Sequence, residues 1–129
     1  MIIVEPEIVD HVEFSCSDEE FEILRAILGQ SLALYDLIDF YLDNISEDDL
    51  SHLLRVFDMA EEAPFIMHER DFWTLSAVVS RTDTLTLKGV DPKSRDSVVL
   101  QMLNVGVSGK RSALSPIGNE TYVSKGKQV

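Results

Sequence analysis

Three aspartates at helical spacing, Asp36, Asp39 and Asp43, point most directly to a functional site in this chain. If residues 31–44 form a helix, the three carboxylates lie in one stripe on the face opposite the apolar residues. Carboxylate oxygens are ligands that Mg²⁺ prefers, so one interpretation is a metal site. A second is an interaction surface in which the acids surround an aromatic anchor, Phe40. A third is a solvated face that only complements the core stripe.

An enzyme would need a larger set of acids. An all-α Mg²⁺-dependent nucleotide pyrophosphohydrolase gathers carboxylates from neighbouring helices around metal ions, and the candidates here are Asp36, Asp39, Asp58, Glu61 and Glu62. The ordered Glu-Glu-x-x-Glu pattern of such a site is missing, and a convex row of aspartates does not converge on one ion. This activity is kept as an alternative. We expect no catalytic residues, no metal site and no cofactor.

The histidines and the single cysteine form no pattern that predicts a site. His11 lies between Asp10 and Glu13, a grouping that arises often by chance. One cysteine is too few for most structural zinc sites. As a nucleophile Cys16 would need a histidine base and an orienting group, and only His11 is near it in the sequence.

Two capping boxes predict the starts of helices in the acidic first half. Ser17 is followed three residues later by Glu20, and Ser46 by Asp49. The first helix is expected to stop or bend at Gly29. A second helix is expected over residues 31–44, with a core face made of Leu34, Leu37, Ile38, Tyr41 and Ile45. A third helix should end before Pro64 and pack against the second as an antiparallel hairpin.

The chain after Pro64 predicts two further helices. One runs from about His68 to Arg81, with a half-buried, hydrogen-bonded His68 on its core face. Trp73 lies off that face, with Arg70 near it. Because Trp and Arg are frequent interface anchors, Trp73 is a candidate contact residue; the alternative is that it packs under the N-terminal segment. The other helix begins at Asp91-Pro92, an N-cap followed by proline at the first position.

β-branched residues predict a small sheet beside these helices. Residues 2–14 should form one or two short strands, with Pro6 at a sheet edge. Residues 84–88 alternate polar and apolar and predict a further strand. The expected fold is mainly α (α+β is the variant): a compact bundle of four to five helices with an accessory sheet from the N-terminal segment and residues 84–88. Residues 1–108 would form one domain, and residues 109–129 a polar, basic tail.

Charge is distributed very unevenly along the chain. Residues 1–62 hold 17 acids and 2 bases, whereas residues 63–129 hold 6 acids and 9 bases, so the net charge is −12. Like charge disfavours direct binding to nucleic acid, and basic protein surfaces are the favoured partners. The acidic start is unlike a secretory signal, no apolar run is long enough to span a bilayer, and the lone cysteine suits a reducing compartment. We therefore expect a cytoplasmic protein without membrane contact.

The leading hypothesis is a non-enzymatic acidic protein-binding module. One form of it is an inhibitor or nucleic-acid mimic, whose partner would be a nucleic-acid-binding protein. Small acidic phage or mobile-element inhibitors share this charge profile, which is a likeness of profile alone. A structural or assembly subunit that forms homo-oligomers is an alternative class. The predicted contact residues are Asp36, Asp39, Phe40, Asp43 and Trp73.

Overall fold

The computed structural model describes residues 1–83, 85 and 87–105. The described chain is mainly helical with a small sheet, as the sequence predicts, and the sheet is antiparallel with three strands. The strands are β1 (Ile3–Pro6), β2 (His11–Ser15) and β3 (Phe65–His68); the helices are α1 (Asp18–Ala33), α2 (Glu47–Ala60), α3 (Glu69–Arg81) and α4 (Pro92–Asn104). Two 3-10 turns, Tyr35–Leu37 and Phe40–Asp43, connect α1 to α2.

Both predicted capping boxes are present. The Ser17 hydroxyl accepts a hydrogen bond from the Glu20 N–H at 3.1 Å, and the Glu20 carboxylate accepts one from the Ser17 N–H at 2.8 Å. Ser46 and Asp49 form the same reciprocal pair at the start of α2, with the same two distances. Each box pairs backbone N–H groups that the first turn of a helix leaves without a partner.

The predicted stop at Gly29 is wrong, because α1 continues through it to Ala33. A glycine inside a helix costs about 1 kcal/mol relative to alanine. Ile27 and Leu28 before it, and Ser31 after it, are buried on the core face. Burial of a single aliphatic side chain is worth about 1.5–3 kcal/mol, which exceeds the cost of the glycine.

The predicted helix over residues 31–44 is also wrong, and so is the hairpin that it would form. The two 3-10 turns take its place, and α2 packs against α1 instead. A continuous helix would set Phe40 on the acidic stripe, exposed to water. Breaking the helix allows Phe40 to become fully buried, while Leu37 and Tyr41 of the predicted core face become exposed. The Tyr35 hydroxyl donates to the Ile45 carbonyl at 2.7 Å and holds the ends of the segment together.

The sheet has the order β1-β2-β3, so Pro6 ends an edge strand as predicted. The third strand is Phe65–His68 and not residues 84–88. Leu85, Leu87 and Lys88 lie outside any strand, and residues 84 and 86 lie outside the described residues. In the pairing of β2 with β3, His11 lies opposite His68 and Phe14 opposite Phe65.

The core joins one face of the sheet to the helices. Phe14 and Phe65 of the sheet contact each other with ring centroids 5.7 Å apart, and Phe65 also meets Phe57 of α2 at 5.3 Å. Phe21 of α1 lies 5.1 Å from Phe57. Helices α3 and α4 form where the sequence predicts them and pack against each other. The predicted tail, residues 109–129, lies outside the described residues.

Within the described ranges, no helix is both long and apolar enough to cross a bilayer.

Candidate functional site

The connection between α1 and α2 carries a dense group of carboxylates, which we call the acidic segment (residues 36–49). Its 14 positions contain no basic residue and six acids, which are Asp36, Asp39, Asp43, Glu47, Asp48 and Asp49. All six are exposed. The break of the helix into 3-10 turns therefore leaves the predicted aspartates on the surface, although not as one helical stripe.

Among the described residues, Asp43 is the one member of the acidic segment held in an ion pair. Its Oδ2 lies 2.5 Å from Nε of Arg81, at the end of α3. The hydrogen bond to Asp43 raises the pKa of Arg81. Asp49 uses its carboxylate in the Ser46 capping box. The remaining four acids form no ion pair within the described part of the chain, although the charge of Asp39 also contributes to the raised pKa of Arg81.

The exposed aromatic residue of this segment is Tyr41 and not Phe40, the predicted anchor. Phe40 is fully buried and stacks on Tyr35 with ring centroids 5.6 Å apart, so it is a core residue here and not a surface contact. The neighbouring Tyr41 is 70% exposed, and Leu37 and Leu42 are also largely exposed. The acidic segment therefore presents apolar side chains among its carboxylates, two of which, Leu37 and Tyr41, the helical periodicity assigned to the core.

A groove with a volume of about 710 Å³ adjoins the acidic segment. It lies between residues 42–45, the outer face of α3 and the end of α4. Its apolar lining consists of Leu42, Ile45, Trp73, Ala77, Met102, Leu103 and Val105. The groove is within the size range of protein ligand sites. The sequence predicts Trp73 as a contact residue, but it does not predict the groove, because the groove depends on how α4 docks on α3.

Trp73 is half-buried on one wall of this groove, and its indole ring packs edge-on against Phe72 with centroids 5.0 Å apart. The indole N–H is shielded from solvent and has no acceptor among the described residues. Trp73 and Asp43 both line the groove. The structure therefore places these two predicted contact residues beside the same groove. Asp36 and Asp39 lie earlier in the acidic segment.

The other end of the groove is polar. Arg70, Thr74, Asn44 and Asp49 line both the groove and a smaller adjoining cavity of about 470 Å³. His52 and Asp71 complete the smaller cavity, and the His52 Nε2 lies 3.1 Å from the Asp71 Oδ2. Sequence spacing gave no sign of this cluster, since its members come from α2, α3 and the connection before α2.

The acids proposed for a metal-dependent enzyme are not gathered in the described chain. No group of three or more His, Cys, Asp or Glu side chains within residues 1–83, 85 and 87–105 is placed to hold a metal ion. Asp58 instead binds Arg25 of α1 at 2.6 Å.

Burial, reinforced by the charge of Glu20, raises the pKa of the Cys16 thiol to about 12. The thiolate that a nucleophile requires is therefore strongly disfavoured at neutral pH.

His68 is half-buried and hydrogen-bonded, as predicted, but it is the last residue of β3 and does not lie on the core face of a helix. It caps α3: its Nδ1 accepts a hydrogen bond from the Arg70 N–H at 3.1 Å. His11 lies across the strand pair, with ring centroids 5.2 Å apart, and its Nδ1 lies 2.8 Å from the Val9 carbonyl oxygen. Both histidines thus have structural hydrogen bonds.

Comparison of the chain with protein-family models, with curated proteins and with solved structures finds no match. Any function must therefore be inferred from the residues and their geometry.

Proposed function

We propose that this protein is a non-enzymatic protein-binding module whose acidic segment docks on a basic surface of a partner protein. The proposal rests on one observation, which is that basic side chains do not balance the negative charge of the acidic segment. Six exposed acids stand in 14 residues without a base, and Arg81 is the one basic side chain that pairs with them among the described residues. An unbalanced surface of this kind attracts an oppositely charged partner and speeds the encounter.

Exposed apolar side chains within the same segment favour a protein partner over a diffuse counter-ion cloud. Leu37, Tyr41 and Leu42 are each more than half exposed. Interfaces derive most of their binding energy from a few such anchors, with tyrosine prominent among them. Charge would therefore orient the partner, while burial of these side chains would hold it.

The same charge disfavours direct contact with a nucleic-acid backbone. Where the partner is itself a nucleic-acid-binding protein, the module would compete with nucleic acid for the basic surface and so inhibit it. We propose a cytoplasmic location for this encounter, on the basis of the lone cysteine.

Charge reversal in the acidic segment tests the proposal. The tagged full chain is used to capture partners from its native host lysate, with nuclease, at low and high salt. We expect one stoichiometric basic protein that Asp36→Lys/Asp39→Lys loses and that high salt releases. Asp43 is left unchanged in this variant, because any substitution that removes its carboxylate would also break the Arg81 ion pair.

The matched control is Glu5→Lys/Glu7→Lys, which changes the net charge by the same amount at exposed positions on and after β1. Partner capture that both double variants reduce equally would mean that net charge alone is responsible. Capture that survives Asp36→Lys/Asp39→Lys in a folded protein would rule out the acidic segment as the docking surface.

A structural or assembly role is a second candidate, and the sheet is the observation that favours it. Among the described residues both β1 and β3 are edge strands, and each exposes an isoleucine, Ile3 and Ile66, on its surface. Edge strands can pair with a second copy of a chain. A defined oligomer of the purified protein in light scattering, lost in Ile3→Lys/Ile66→Lys, would support this role.

A further inference from the structure

We infer that the groove beside the acidic segment receives the apolar face of a basic amphipathic helix from the partner. The inference rests on the proposed function and adds the kind of element that docks. The groove follows α3 from Arg70 to Arg81. At 1.5 Å per residue this is a length of about 16 Å, or three turns, which suits the helix-in-groove mode of recognition.

The α3 wall allows a second helix to approach closely. Between Trp73 and Arg81 the groove-lining residues of α3 are Thr74, Ser76, Ala77 and Ser80, all of them small. The larger apolar side chains stand at the sides, where Leu42 and Leu103 are each about half exposed. A helix with apolar side chains at every third or fourth position would set them between these sides and against Trp73.

Charge identifies the flanks of the docking helix. The wall formed by residues 42–45 belongs to the acidic segment, and Asp36 and Asp39 lie just before it in the chain. Two arginines also line the groove, but Arg81 is paired with Asp43 and Arg70 lies at the polar end. The opposite wall ends in uncharged Leu103 and Val105. Lysine or arginine along one edge of the docking helix would therefore face the unpaired carboxylates, while its apolar face would enter the groove.

Trp73 also provides the assay, because it is the single tryptophan of the chain. The probes are two tryptophan-free synthetic peptides of about 14 residues, or four turns, with the same Leu, Ser and Lys content. In the ordered peptide the leucines form one helical face, and in the scrambled peptide they are spread around the helix. Each is titrated into the full chain while the emission of Trp73 is recorded.

We expect the ordered peptide to shift the emission of Trp73 and to bind at least about tenfold more tightly than the scrambled one, the effect of burying one aliphatic anchor. Ala77→Phe, which fills the groove, should abolish that difference. Leu103→Ser changes an exposed side chain and should reduce the difference without disturbing the fold, which circular dichroism checks. Asp36→Asn/Asp39→Asn should weaken both peptides to the same extent.

Equal binding of the two peptides, unchanged by Ala77→Phe and Leu103→Ser, would overturn the groove inference and leave the acidic docking surface intact. Failure of the ordered peptide to bind would also overturn the groove inference. A shift of Trp73 emission that grows with protein concentration alone would assign the groove to a second copy. A shift in the peptide-free protein on Leu114→Ser/Ile117→Ser would assign it to this chain's own C-terminal residues, and would also overturn the inference.

Discussion

Gln101 of α4 donates a hydrogen bond to the Glu20 carboxylate of α1 across 2.8 Å, at the point where the two ends of the described chain meet. The same carboxylate accepts the Ser17 N–H and the amino group of Met1, while the Gln101 side-chain oxygen accepts the Ile2 N–H. Burial alone would raise the pKa of Glu20, but the hydrogen bonds from Ser17, Gln101 and the amino group outweigh it and lower the pKa. An ionised Glu20 therefore stabilises the fold.

Glu20→Gln should lower the free energy of unfolding at pH 7 by about 1.5–3 kcal/mol, the range for hydrogen bonds to a charged group. Because the pKa of Glu20 is lower in the folded than in the unfolded protein, its stabilisation is complete above the ordinary value of 4.5 and is lost as the pH falls below it. Urea denaturation at a series of pH values measures both. The difference between wild type and variant should shrink below pH 4.5. A difference that is constant with pH would contradict the role of the charge.

Phe40→Ala should destabilise the protein by about 3–5 kcal/mol, because it leaves a cavity in the core. Tyr41→Ala at the neighbouring exposed position should change stability by no more than about 0.5 kcal/mol. Thermal and chemical denaturation of the two variants compare them directly. If residues 31–44 formed the continuous helix that the sequence predicts, the order of the two effects would reverse.

His68→Ala should cost about 0.5–2 kcal/mol of stability, since the Arg70 N–H at the start of α3 would lose its acceptor. His68→Ser provides a matched variant that can still cap the helix and should recover most of the loss. Chemical denaturation of the wild type and the two variants under the same conditions compares their stabilities. Equal stability of the alanine and serine variants would show that the imidazole ring acts by packing and not as an acceptor.

Cys16 should react more than about tenfold more slowly with iodoacetamide at pH 8 than a free cysteine, because only the thiolate attacks and the pKa of this thiol is raised to about 12. Mass spectrometry of the intact protein over time gives the rate. The unfolded protein in urea is the internal control and should react at the ordinary rate. Rapid modification of the folded chain would mean that the cysteine region opens easily.

The parts of the fold that the sequence predicts correctly are those decided by short-range chemistry. The serine–carboxylate pairs at Ser17 and Ser46 and the Asp91-Pro92 pair each mark a helix start that the structure contains. These patterns act within one turn of helix, so they depend little on the rest of the chain. Helix α3, with its strong amphipathic pattern, belongs to the same group.

The parts that sequence reasoning misses are decided by tertiary packing. In residues 31–44 the helical pattern of Leu37 and Tyr41 is overridden because Phe40 enters the core from the other side. Strand β3 has only four residues, and their pairing with β2 cannot be seen from their own pattern. The groove at Trp73 is formed by residues of the connection before α2, of α2, of α3 and of the end of α4 together. Of the predicted contact residues, the exposed aspartates follow from polarity alone, whereas Phe40 required the structure.

The bond network around Gln101 also bears on the order of folding events. Gln101 contacts Glu20, which lies 81 positions earlier in the chain, and Ile2, which lies 99 positions earlier. Contacts of such high sequence separation require closure of nearly the whole described chain, and their loop-closure entropy must be overcome before they contribute. We therefore expect α4 to dock late in folding, so that the groove that α4 helps to form would be complete only once the chain has closed on itself.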